Sequence, residues 1–165
     1  MKPALLVIDV QKEFVDATPT IAQTLGRAID YINAGIALFR EKGLPVVCIQ
    51  HVNEKKGLVP GAEGFDVPEQ LAILPADLHI RKTYGNSFTR TGLASELAKL
   101  GVDTVIVTGF SAERCVLSTY RGALDLDLTP IILRGALGSD DADRLRFVEE
   151  ISDIVSLGAL KKALA

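Results

Sequence analysis

The sequence predicts an α/β protein, a three-layer α/β/α sandwich around a six-stranded, mostly parallel sheet. Three observations carry this. Short apolar runs that read as strands buried on both faces alternate with longer segments of helical periodicity. Glycines stand where helical segments stop, at Gly43 and Gly101. The chain has 165 residues, of which 48% are apolar, enough for one domain spanning 1–165 with its own core.

Ala4 to Asp9 is an apolar run closed by an acid, as expected of a first parallel strand. Thr20 to Lys42 places Ile21, Leu25, Ile29, Ile32, Ile36 and Phe39 at helical spacing before Gly43. Pro45 to Gln50 is a second buried strand. Residues 52 to 76 are rich in glycine and proline and read as a long surface loop. A loop of that length is often functional, here as a lid or a partner surface. Leu78 to Lys82 is strand three, Thr91 to Leu100 a helix closed by Gly101, and Asp103 to Thr108 strand four. Glu113 to Leu126 is the next helix and Thr129 to Leu133 strand five. Asp141 to Ile151 is a helix opened by acids, Ile154-Val155 a short last strand, and Ser156 to Leu164 a terminal helix.

Composition narrows the function classes. A net charge of -3 without any lysine or arginine cluster argues against nucleic acid and anionic membranes as partners. No apolar run approaches the roughly 18 residues of a membrane span. The N-terminal run MKPALLVIDVQ is interrupted by Asp9 and lacks a small-residue cleavage site, so it reads as a strand rather than a signal peptide. Two cysteines in a chain of this size point to a reducing, cytoplasmic setting.

Ligands of such sheets bind beyond the carboxyl ends of the strands. Three reactive side chains fall there: Asp9 after strand one, Lys82 after strand three and Cys115 after strand four. Singly, each has an ordinary reading, as a cap or Mg²⁺ ligand, a solvated charge and a packing thiol. Together they supply a base, a cation and a nucleophile. Cys115 is expected in the first turn of a helix, where free N–H groups and the dipole stabilise a thiolate. Cys48, within PVVCIQ, is expected to pack. Neither histidine, His51 or His79, sits at the head of the nucleophile helix. A partly buried Asp9 would therefore take the thiol proton and return it to a leaving amine. Lys82 would hold Asp9 and lower the thiol pKa, and backbone N–H groups before Cys115 would bind the oxyanion.

The segments LLVIDVQKEF, IRKTYGNSF with TRTGL, and VIVTGFSAERCVLSTYRGAL resemble the isochorismatase-like cysteine hydrolase superfamily, which includes nicotinamidases and N-carbamoylsarcosine amidases. The resemblance implies a strand order of 3-2-1-4-5-6 and no organic cofactor. Its Asp-x-Gln-x-x-Phe pattern falls on Asp9, Gln11 and Phe14. Its lysine falls on Lys82, with an aromatic at Phe88, and its Cys-Val on Cys115, followed by Thr119 and Ala123. It implies a cis peptide between Phe110 and Ser111, turning the Ser111 N–H beside that of Cys115 as an oxyanion hole. Gln11, Phe14, Tyr84 and Phe88 are the expected pocket walls, and a dimer or tetramer is the expected assembly.

Two positions depart from the pattern. The metal site of nicotinamidases needs an Asp-x-His pair and further histidines, whereas this chain has only Gln50-His51-Val52-Asn53 there, so no metal is expected. Glu113 stands where the family usually has Asp. Cys115 favours the amidase branch over isochorismatases proper, which typically lack the nucleophile. The leading expectation is hydrolysis of a C–N bond in a small molecule. A non-catalytic binding protein that keeps the fold and a vinyl-ether hydrolase remain the alternatives. Arg114 could anchor a substrate carboxylate, but a solvated or intersubunit role is the commoner one for an arginine on the nucleophile helix, as for Arg121.

Overall fold

A computed structural model describes residues 1–165. In chain order the elements are β1 (Pro3–Ile8), α1 (Lys12–Val15), α2 (Pro19–Glu41), β2 (Val46–His51), β3 (Leu78–Lys82), α3 (Leu93–Lys99), β4 (Thr104–Gly109), α4 (Leu117–Leu124), β5 (Thr129–Leu137), α5 (Ala142–Glu150), β6 (Ile154–Val155) and α6 (Leu157–Ala163). The six strands form one sheet in the order β3-β2-β1-β4-β5-β6, and every pairing is parallel. No helix is long and apolar enough to cross a membrane.

Strand pleating sorts the core into two slabs. Ala4, Leu6 and Ile8 of β1 face one side with Leu93 and Leu97 of α3, Val116, Tyr120 and Val148. Leu5 and Val7 face the other, against Ile21, Leu25, Ile29, Ile32, Ile36 and Phe39 of α2 and Leu160 of α6. This is why the β1 run is apolar without alternation: both faces are covered. Each fully buried aliphatic side chain contributes about 1.5–3 kcal/mol relative to exposure.

Several expected boundaries move, each for a local reason. Helix α2 starts at Pro19 because Thr18 caps it, its Oγ1 accepting from Ile21 N at 3.1 Å. The segment expected as one helix over 113–126 begins at Ala112 with a π-helical turn, Ala112–Val116, and ends at Leu124. Helix α3 begins two residues later than expected, after Thr91 Oγ1 has donated to the Ser87 carbonyl. Strand β5 continues past Leu133 to Leu137 across a register shift opposite Val107 and Gly109. Lys12–Val15 forms a helical turn where none was expected. The 52–76 segment is not wholly a surface loop. It holds 3-10 turns at Glu54–Lys56 and Glu63–Phe65, and it buries Leu58, Phe65 and Leu71.

The chain order reverses between β1 and β4, so the crevice beyond their carboxyl ends is the topological switch point. Gly109 ends β4 there with φ +116°, and a Cβ at this position would run into the Ile8 backbone. Only glycine lets the two strand ends lie this close. That approach carries the turn bearing Cys115 over Asp9.

Candidate active site

Asp9 follows β1 with φ 52°, in the left-handed region that Asp tolerates better than most side chains. Its N–H donates to the Ile49 carbonyl at 2.8 Å, fixing the turn to β2. Its carboxylate is buried, and Oδ2 accepts from Lys82 Nζ at 2.8 Å. Lys82 closes β3, and its ammonium is fully enclosed. It donates to Asp9 Oδ2, to His51 Nδ1 at 3.1 Å and to the Tyr84 carbonyl at 3.0 Å. Three donors thus meet three acceptors, which is what a buried ammonium requires. Since Lys82 can only donate, His51 Nδ1 accepts and its proton sits on Nε2.

Cys115 lies in the π-helical turn, partly exposed, on the wall of a cavity of about 310 Å³. Asp9, His51, Phe110, Ser111 and Arg114 line the same cavity, and Phe14, Ala17 and Leu58 supply its apolar wall. The Phe14 and Phe110 rings stack with centroids 5.4 Å apart. The Phe110-Ser111 peptide is cis. The Ser111 N–H donates to no other group of the protein.

The electrostatics reverse one expectation. The Cys115 thiol is not stabilised as a thiolate; burial, then the charge of Asp9, push it up to about 11, against a smaller opposing pull from Lys82. Cys48 is pushed up to about 12, chiefly by burial. Both thiols are therefore protonated at neutral pH. They differ in access, since Cys48 is enclosed within β2 while Cys115 faces the cavity. Burial also raises Asp9 above the usual carboxylate range, with Lys82 and a hydrogen bond from Cys115 opposing the rise. Burial, then Lys82, lower His51, which keeps the imidazole neutral.

Four expected wall residues fall in different places. Phe14 lines the cavity; Gln11, Tyr84 and Phe88 do not. Gln11 is fully buried and clamps the end of β2: its Oε1 accepts from His51 N at 2.7 Å, and its Nε2 donates to the His51 carbonyl at 3.1 Å and the Phe65 carbonyl at 3.0 Å. Tyr84 points outward, 42% exposed beneath Arg90, and serves the site only through its carbonyl. Phe88 packs on the core slab under α3 and α4. Glu113 faces away from the cavity residues, its Oε2 accepting from Ser139 Oγ at 2.8 Å beside α5. Conversely, Leu58, Asn53 and Lys56 reach the cavity from the long loop, and only the length of that loop hinted at it.

Asp9, His51 and Cys115 place ligand-type atoms within 4.8 Å of one another. The Lys82 ammonium already holds Asp9 Oδ2 and His51 Nδ1 in that space, and although Asp9 Oδ1 has no partner, the ammonium would repel a second cation. The donor set suits an ion-pair network better than a metal.

The isochorismatase domain model matches residues 3–148. The chain belongs to the isochorismatase family. It is 32% identical to the uncharacterized isochorismatase family protein YrdC of Bacillus subtilis over 137 residues, covering 82% of this chain and 73% of the relative. It is 29% identical to streptothricin hydrolase of Streptomyces noursei, covering 97% of this chain but 57% of that protein. Among solved structures, N-carbamoylsarcosine amidase from Thermoplasma acidophilum superposes with a TM-score of 0.81 at 26% identity, covering 95% of this chain and 97% of that one. The protein is thus an isochorismatase-family hydrolase with the family's strand order.

Proposed function

We propose that this hydrolase cleaves an amide or carbamoyl-type C–N bond of a small molecule through a cysteinyl acyl-enzyme. The observation that carries the reading is the convergence on one small cavity of Cys115 and Asp9, the latter paired with the buried Lys82 behind it. Its relatives include proteins named streptothricin hydrolase and N-carbamoylsarcosine amidase, which accords with a C–N substrate.

Cys115 Sγ attacks the substrate carbonyl as its proton passes to Asp9, so the thiolate exists only as the new bond forms. The raised pKa of Asp9 makes it a better base than a surface carboxylate, and Lys82 keeps it ionised and oriented. The unpaired Ser111 N–H, with that of Cys115, receives the developing oxyanion. Asp9 returns its proton to the leaving nitrogen, and the amine departs. A water then gives its proton to Asp9 and attacks the thioester; collapse releases the carboxylic or carbamic acid and restores the thiol.

The test is ammonia release across small primary amides, N-carbamoyl and ureido compounds, with Cys115→Ala as the control. Turnover by the wild type, loss in the variant and an acyl adduct on Cys115 by intact mass are expected. Turnover that survives in Cys115→Ala, or no turnover across the panel, would overturn the proposal.

A further inference from the structure

The cavity above Cys115 carries two cations that the fold does not use. Lys56 ends the 3-10 turn of the long loop, and Arg114 precedes Cys115 on the π-helical turn. Both line the cavity. Neither forms an ion pair with any carboxylate of the chain, although other arginines and lysines do. Two segments remote in sequence thus bring unpaired positive charge to one small space.

The acids on the same cavity, Asp9 and the unpaired Glu13, offset only part of it. Asp9 is neutralised by Lys82 at 2.8 Å. The Glu13 carboxylate rests over Gly64, its Oε2 2.6 Å from where a Cβ on that residue would stand. His51 has its Nδ1 engaged by Lys82, and Asn53 is uncharged. Phe14 and Phe110 line the same cavity and stack on each other, an apolar wall suited to a short carbon chain.

We propose that Lys56 and Arg114 form a carboxylate-binding subsite, and that the substrate is an amide whose other end carries a carboxylate a few atoms from the scissile carbonyl. This rests on the amide-hydrolase reading above and narrows it. The guanidinium of Arg114 supplies a planar fork for a carboxylate, and Lys56 a second point charge from the facing loop. A neutral amide of the same length fills the apolar wall but leaves both cations without a partner.

Alkylation of Cys115 tests the subsite without requiring turnover. Iodoacetate and iodoacetamide deliver the same carbon to sulfur and differ in carrying a carboxylate or a neutral amide. Their relative rates at Cys115 in the full-length protein, read by peptide mass spectrometry at pH 9, are compared with those at N-acetylcysteine. The iodoacetate preference is expected to be about tenfold greater at Cys115, equivalent to about 1.4 kcal/mol. It should fall towards the N-acetylcysteine value in Lys56→Gln/Arg114→Gln and in high salt, and persist in part in Arg114→Lys. Both side chains are exposed, so the variants keep the fold. A wild-type ratio equal to that of N-acetylcysteine, or a raised ratio that the double variant retains, overturns the subsite. A raised ratio in a protein that releases no ammonia would leave the subsite and sink the amidase reading; an active amidase with an ordinary ratio would do the reverse.

Discussion

Replacing Asp9 with Asn should separate two properties of Cys115 that a histidine-activated thiol would lose together. In the native site the thiol sits at about 11, so at pH 7 only about one molecule in ten thousand carries a thiolate. The charge of Asp9 is one of the two leading causes of that rise, and Lys82 opposes it. Asn keeps the shape and can still accept from Lys82, but it removes the negative charge and leaves the buried ammonium unopposed. The thiol pKa must then fall, and each unit of fall raises the thiolate population tenfold. Turnover should move the other way by about 10²–10⁴ or more, because the group that collects the thiol proton and returns it to the leaving nitrogen is gone. The assay is the pH dependence of iodoacetamide labelling at Cys115, set beside ammonia release by the same preparation. Labelling at neutral pH should rise in Asp9→Asn while hydrolysis falls. If labelling declines in step with turnover, Asp9 stabilises a resting thiolate and the proposed proton path is wrong.

Three further outcomes follow from the same network. Lys82→Met leaves the burial of Asp9 unopposed, so the acid limb of kcat/KM should move to higher pH; an unmoved limb would remove Lys82 from the control of Asp9. The stability of that variant carries a sign of its own. A carboxyl raised in the folded state binds more protons there than when unfolded, so stability falls as pH rises from the ordinary Asp range through the folded pKa. Loss of one partner of a buried pair costs about 3–5 kcal/mol at the high-pH side, and melting at pH 5 and pH 8 should show the larger deficit at pH 8. Gln11→Leu strands the part-buried N–H and carbonyl of His51, at up to about 1–3 kcal/mol for each orphaned group; a urea midpoint indistinguishable from wild type would show that the clamp is dispensable.

What could be read from the chain, and what could not, divides along a physical line. Strand order and the two-faced core follow from which residues are apolar in runs and which at helical spacing. Those patterns are local, so Ala4–Asp9 and the α2 stripe were legible. The side chains at strand ends were legible as a set for the same reason: β1, β3 and β4 must deliver Asp9, Lys82 and the Cys115 turn to one crevice once the order reverses between β1 and β4. Side-chain direction in the turns beyond those ends is not local in this sense. Asp9 at φ 52° swings the next residues so that Gln11 meets the end of β2 and Phe14 meets Phe110, although the two lie three apart in one motif. Tyr84, two residues past β3, gives its carbonyl to Lys82 and its ring to solvent.

At Cys115 the local sequence signal and the packed environment pull the thiol in opposite directions. A helix start favours a thiolate by a modest and screened amount, whereas burial and an adjacent carboxylate act in a medium where charge is costly. The second pair of effects wins at Cys115, and only the packing of Asp9 and Lys82 against it reveals that they are present. A resting thiolate beside Asp9⁻ would place two negative charges against one ammonium whose three donors are already spent. Keeping the proton on sulfur until a carbonyl arrives avoids that repulsion. It also leaves Cys115 slow towards adventitious electrophiles, so its reactivity depends on a substrate seated in the cavity rather than on the thiol alone.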